Sequence, residues 1–82
     1  MSKRDEYQQR LTRVFREVFD DDDIEISDAT TAADVEEWNS LSHVTLVVAC
    51  EKEFGLKLSP AQVGRLKNVG QMLDVLVERG TR

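Results

Sequence analysis

Apolar residues that return every three or four positions constrain this chain more than anything else in it. Tyr7, Leu11, Val14, Phe15 and Val18 follow that rhythm, with Gln8, Gln9, Arg10, Arg13 and Arg16 between them. A period near 3.6 puts the apolar set on one side of a helix, which predicts an amphipathic helix from about Asp5 to Phe19. A second helix is predicted over Ser40 to Phe54, closing at Gly55, where glycine accepts the left-handed conformation of a helix end. Ser59-Pro60-Ala61-Gln62 reads as a helix start, with Ser59 as N-cap, Pro60 at the first helical position and Gln62 reaching back. That helix is short, because Gly64 weakens it and Asn68-Val69-Gly70-Gln71 offers another N-cap with Gln71 at the capping-box position. The last helix spans about Val69 to Arg79, with Val69, Met72, Leu73, Leu76 and Val77 in one stripe and Gly80 as its stop. Stripes of this kind are core. The expected fold is all-α, a small bundle of three main helices plus one short helix, with a long loop between the first and second helices.

That loop, residues 20 to 39, alternates Ile24 and Ile26 with acid, is small and polar from Asp28 to Ala33, and then offers Val35 and Trp38. So long a connection in a compact domain is functional or pinned by its apolar residues, and Trp38 is its expected anchor on the bundle. With 82 residues the chain has room for one domain, 1–82, and too little bulk for a deep catalytic pocket. A carrier, adaptor or binding module fits that size better than a self-contained enzyme. No apolar stretch approaches the roughly 18 residues of a membrane span, and Met1 to Glu6 begins with charge, so a cytoplasmic location is expected. Cys50 is the only cysteine, which excludes an internal disulfide or a cysteine-built metal site, and it reads as a small buried hydrophobe. A net charge of −5 disfavours nucleic acid and anionic membranes and favours basic partner surfaces. The run Asp20-Asp21-Asp22-Asp23 lacks the alternating ligands, turn glycine and terminal glutamate of a calcium loop, so no metal is expected there.

The helix predicted from Ser40 carries apolar residues on two sides. At about 100° per residue, Leu46, Cys50 and Phe54 share one side with Val47 at its border, while Leu41, Val44 and Val48 lie opposite with Thr45, Glu51 and Lys52. A chain this small cannot bury both faces, so the second is expected to be a docking surface unless the acidic loop folds over it. Ser40 opens this helix at the same side. The helix terminus there favours a phosphodiester on its oxygen, yet Ser40 or Asn39 can equally be a plain N-cap. Ser40 and His43 stand three apart, as a nucleophile and base can, but no glycine-bounded nucleophile turn or oxyanion hole accompanies them. An unmodified acidic adaptor remains the other reading.

The stretch Trp38-Asn39-Ser40-Leu41-Ser42-His43-Val44, then Glu51-Lys52-Glu53-Phe54-Gly55, Leu58-Ser59 and Asn68-Val69-Gly70-Gln71-Met72-Leu73, resembles the acyl carrier protein family, including peptidyl and polyketide carrier domains. The likeness extends over essentially the whole chain. It implies that Ser40 takes a covalent 4′-phosphopantetheine from coenzyme A through a phosphopantetheinyl transferase. It further implies that acyl or aminoacyl groups ride on the arm's thiol as thioesters, in fatty-acid, polyketide or related biosynthesis. The protein itself then has no catalytic residue and delivers its cargo to acyl-loading and acyl-transferring enzymes with basic docking patches. Asn39, Leu41, Val44, Val48 and Glu51 are the positions expected to touch those partners, with the carrier a monomer. The family most often has Asp before its serine, and here stands Asn39, which can cap but brings no charge. Asp34, Glu36 and Glu37 are the nearest acids able to supply it, and a second helix less acidic than in many fatty-acid carriers leans toward a dedicated or secondary pathway.

Overall fold

A computed structural model describes residues 2–81, and among them four helices run in the order expected. Helix α1, Lys3–Phe19, begins two residues before the expected Asp5 because Ser2 caps it, its hydroxyl accepting from the Asp5 N–H at 3.2 Å. Helix α2 is Ser40–Phe54, α3 is Pro60–Arg65 and α4 is Val69–Arg79. Gly55 ends α2 at φ 66°, in the left-handed region that favours glycine. Ser59 and Gln62 close the expected capping box on α3. At α4 the box is displaced by one residue: Asn68 accepts from the Gln71 N–H, but the Gln71 side chain takes the N–H of Lys67 instead of that of Asn68. Gly80 does end α4, though at φ −63°, so its lack of a side chain matters for space. A Cβ there would stand 2.5 Å from the Leu76 carbonyl oxygen and 2.6 Å from the Tyr7 hydroxyl.

Helix α1 packs against both α2 and α4. Tyr7, Leu11, Val14 and Phe15 of α1 meet Leu46, Val47, Cys50 and Phe54 of α2 and Val69, Met72, Leu73 and Leu76 of α4 in one buried cluster. Removing these side chains from water is the main driving force for the fold. The long loop joins the same core. Ile24, Ile26, Val35 and Trp38 are all buried, and the Trp38 ring meets Phe15 edge-on, 5.3 Å between centroids. Polar contacts fix the path between those anchors. The Arg16 guanidinium donates to the Ile24 carbonyl at 2.9 Å, and the carbonyls of Thr30 and Asp28 accept the first N–H groups of α4, from Val69 and Gly70, at 2.9 Å each. Loop carbonyls therefore satisfy donors that the start of a helix leaves without partners. Gly70 permits that approach, since a Cβ would lie 3.0 Å from the Asp28 oxygen. Arg4 fastens the same corner, paired with both Asp28 and Asp74. Among the described residues no helix is long and apolar enough to cross a membrane.

Candidate functional site

The head of α2 is built by Asn39, not by Ser40. The Asn39 Oδ1 accepts from the N–H groups of Leu41 at 2.9 Å and Ser42 at 3.1 Å, while the Ser42 hydroxyl accepts from the Asn39 N–H at 2.8 Å. That hydroxyl also donates to the Glu37 carbonyl at 2.8 Å, tying the loop to the helix entrance. Ser42, three residues after the cap, closes a capping box with a hydroxyl in place of the usual Glu or Gln, which is why the sequence pattern did not reveal it. With the capping taken by its neighbours, Ser40 occupies the first helical position, exposed, and its hydroxyl has no hydrogen-bond partner among the described residues. Such an oxygen can be esterified without breaking any contact, and the adjoining helix terminus favours the negative charge of a phosphate.

His43 does not serve Ser40. Its Nδ1 accepts from the Trp38 indole N–H at 3.0 Å, so the proton belongs on Nε2, which donates to the Val63 carbonyl at 3.3 Å. Both ring nitrogens are thus occupied in holding loop, α2 and α3 together, and none is left to act as a base toward the serine. The three-residue spacing that suggested a nucleophile and base is accounted for by this strut. Between these elements lies an open groove of about 580 Å³, lined by Asn39, Ser40 and His43 on α2 and its cap, and by Val63, Gly64 and Lys67 on and after α3. Its size is that of a small-molecule site, about 300–1,000 Å³. The sequence placed none of Val63, Gly64 and Lys67 at the site, because their nearness to Ser40 depends on where α3 lies and no local pattern encodes that.

Leu41, Val44 and Val48 are exposed at 85%, 60% and 43%, so the acidic loop does not cover the second face of α2. Thr45 and Lys52 flank them at the surface. Glu51 is half-buried, and one of its carboxylate oxygens accepts from the Leu58 N–H at 2.8 Å, so it also secures the turn into α3. Of the nearby acids, Asp34 is engaged with Thr31, both N–H and hydroxyl, whereas Glu36 and Glu37 extend into solvent. The Asp20–Asp23 run follows the end of α1, where Asp20 takes a left-handed φ of 51°. Among the described residues no three His, Cys, Asp or Glu side chains gather where they could hold a metal ion.

A family model described as the phosphopantetheine attachment site matches residues 9–76. Among solved structures, the solution structure of a holo acyl carrier protein from Geobacter metallireducens is similar, at 39% identity over 88% of this chain and 83% of that one, with a TM-score of 0.82. No curated protein matches the sequence.

Proposed function

This chain belongs to the phosphopantetheine-attachment family and is a carrier protein with the fold of the acyl carrier proteins, and from that premise we propose that Ser40 is where its covalent 4′-phosphopantetheine is attached. The observation that carries the assignment is the free, exposed Ser40 hydroxyl at the head of a helix whose capping is done entirely by Asn39 and Ser42. When attached, the group supplies a thiol on which an acyl or aminoacyl unit is held as a thioester. The chain's own residues do the rest by placement: Asn39 and Ser42 fix the helix entrance, Ser40 anchors the arm, and the groove toward Val63 and Gly64 gives it a bed.

Carriage of this kind needs no catalytic residue in the carrier. Tethering replaces bimolecular encounter with a high local concentration, and the bond-making belongs to partner enzymes. Leu41, Val44 and Val48 form the surface those enzymes grip, with Asn39 and Glu51 at its two ends. The net charge of −5, with Glu36 and Glu37 extended beside Ser40, suits basic patches on a phosphopantetheinyl transferase and on acyl-loading and acyl-transferring enzymes. The pathway is fatty-acid, polyketide or related biosynthesis, and the protein works as one domain and a monomer.

The test is intact-mass spectrometry after incubation with coenzyme A and a permissive transferase. One phosphopantetheine adds to the protein, and Ser40→Ala prevents it. No added mass with several transferases would leave an unmodified acidic adaptor as the better reading.

A further inference from the structure

Among the described residues, Lys67 is the only formally charged side chain lining the groove beside Ser40. In a chain with 16 acidic and 11 basic residues, this groove holds one cation and no anion. The Lys67 ammonium has no carboxylate partner among the described residues, in contrast to Arg4 and Arg10, which are paired. Its backbone, however, is fixed. The Lys67 N–H donates to the Gln71 side chain at 2.9 Å and to the Arg65 carbonyl at 3.0 Å, so the residue is held in the turn between α3 and α4. Between it and Ser40 the α3 wall is low, because nothing stands within 4 Å of the place a Gly64 Cβ would occupy.

An arm esterified at Ser40 brings a permanently negative phosphodiester to the mouth of this groove. We propose that Lys67 is the counter-ion of that phosphodiester, and that their pairing lays the arm along α3 between visits to partner enzymes. The assignment rests on Ser40 as the attachment point and goes beyond it by naming what holds the arm at rest. An exposed lysine carries its charge on a flexible stem, so the pairing is weak and reversible, as a carrier that must release its arm requires. Pairs of this kind shift a docked-to-free ratio by roughly two- to fivefold.

The experiment compares amide NMR spectra of the apo and holo forms of the full chain, for the wild type, Lys67→Gln and Lys67→Arg, after intact mass has shown one phosphopantetheine on each holo sample. In the wild type, attachment shifts Leu41 and Ser42 beside the anchor and also Val63, Gly64 and Lys67 across the groove. Lys67→Gln reduces the second group of shifts, by roughly a third to two-thirds where docked and free arms are equally populated, and leaves the first. Lys67→Arg retains both, and about 1 M salt, where the screening length is about 3 Å, mimics Lys67→Gln. Wild-type shifts confined to residues 39–43, or shifts at Val63 and Gly64 that persist in Lys67→Gln, overturn the proposal. So do shifts across the groove that appear only when the thiol carries a carboxylated acyl group and not an uncharged one, since the cation then serves the cargo. Absence of the added mass removes the Ser40 assignment itself, and the pairing with it, and is read before any spectrum.

Discussion

Val47 and Val48 are chemically identical neighbours on α2 whose side chains point about 100° apart, Val47 into the core and Val48 to solvent, 4% and 43% exposed, which makes the same substitution at each a direct measure of the two faces. Burying a whole valine is worth about 1.5–3 kcal/mol. Val48 is a little over half covered, so Val48→Asp forfeits about 1–1.5 kcal/mol of that as an upper bound. Part of the loss is returned, about 0.3–0.5 kcal/mol, by an acid four residues before Lys52. Helix propensity changes little, since valine and aspartate rank close together. The net cost is about 0.5–1 kcal/mol, which for a domain of this size lowers Tm by about 4–8 °C per kcal/mol. Val47→Asp instead forces a carboxylate among Cys50, Leu58, Leu66 and Met72 in the buried cluster, losing the full transfer term and several kcal/mol of desolvation. At about 0.05–0.15 kcal/mol per residue the whole domain is stable by about 4–12 kcal/mol, so Val47→Asp abolishes cooperative folding or lowers Tm by more than about 20 °C. Thermal unfolding followed by circular dichroism measures both. The functional half of the prediction is that Val48→Asp, still folded, slows acyl transfer to and from partner enzymes well beyond its effect on Tm. A Val48→Asp protein that unfolds like Val47→Asp, or that folds and is transferred at the wild-type rate, refutes the reading of this face.

Two further perturbations test the helix entrance and the core. Asn39→Ala removes the acceptor of two N–H groups and costs about 0.5–2 kcal/mol, whereas Asn39→Asp keeps the cap, gains about 0.3–1 kcal/mol from the helix dipole, and restores a charge that a transferase cation can grip. Chemical denaturation therefore ranks Asp above Asn above Ala, and modification rates put Asn39→Asp above the wild type; an alanine variant as stable as the wild type removes Asn39 from the capping role. Burial, with Glu51 and Glu53 adding to it, pushes the Cys50 thiol from 9.0 up to about 12. A thiol whose value is raised on folding ionises first in the unfolded chain, so its contribution is complete below pH 9.0 and is lost as the pH climbs toward about 12. Stability falls over that window by up to about 1.4 kcal/mol per pH unit from this group, and Cys50→Ala flattens that part of the slope even though it lowers stability at neutral pH. Equal slopes for the two proteins contradict the assignment, as does rapid reaction of native Cys50 with a thiol reagent at neutral pH.

What the sequence made legible was whatever is encoded locally. The stripes through Tyr7, Leu11 and Phe15 and through Met72, Leu73 and Leu76 gave α1 and α4 with the correct inner faces, and Gly55 and Ser59 marked the end of α2 and the start of α3 by a conformation and a cap that few other residues supply. The two-sided character of α2 was equally readable, because a period of 3.6 separates Leu41, Val44 and Val48 from Leu46, Cys50 and Phe54 whatever surrounds them. Which residue capped α2 was not, since Asn39 and Ser40 are both good caps and only the closed ring through Ser42 decides between them. The groove was less legible still. His43, Val63 and Lys67 come together through the placement of α3, and that placement depends on an indole, an imidazole and a backbone carbonyl meeting from three separate segments.

The long loop is what makes an exposed apolar face on α2 compatible with a stable domain. Three main helices of this length would ordinarily need every apolar stripe they carry to close a core, and small domains have little to spare. Here the loop contributes Ile24, Ile26, Val35 and Trp38 to the interior, side chains that another helix would otherwise have to provide. Its backbone is held by α1 through Arg16, by α4 through Val69 and Gly70, and by α2 through Ser42, so it cannot swing across Leu41, Val44 and Val48 without losing those contacts. The core is thereby closed without drawing on α2's outer face. That face, with the Ser40 hydroxyl at its end, is left in water, where only a visiting surface can cover it.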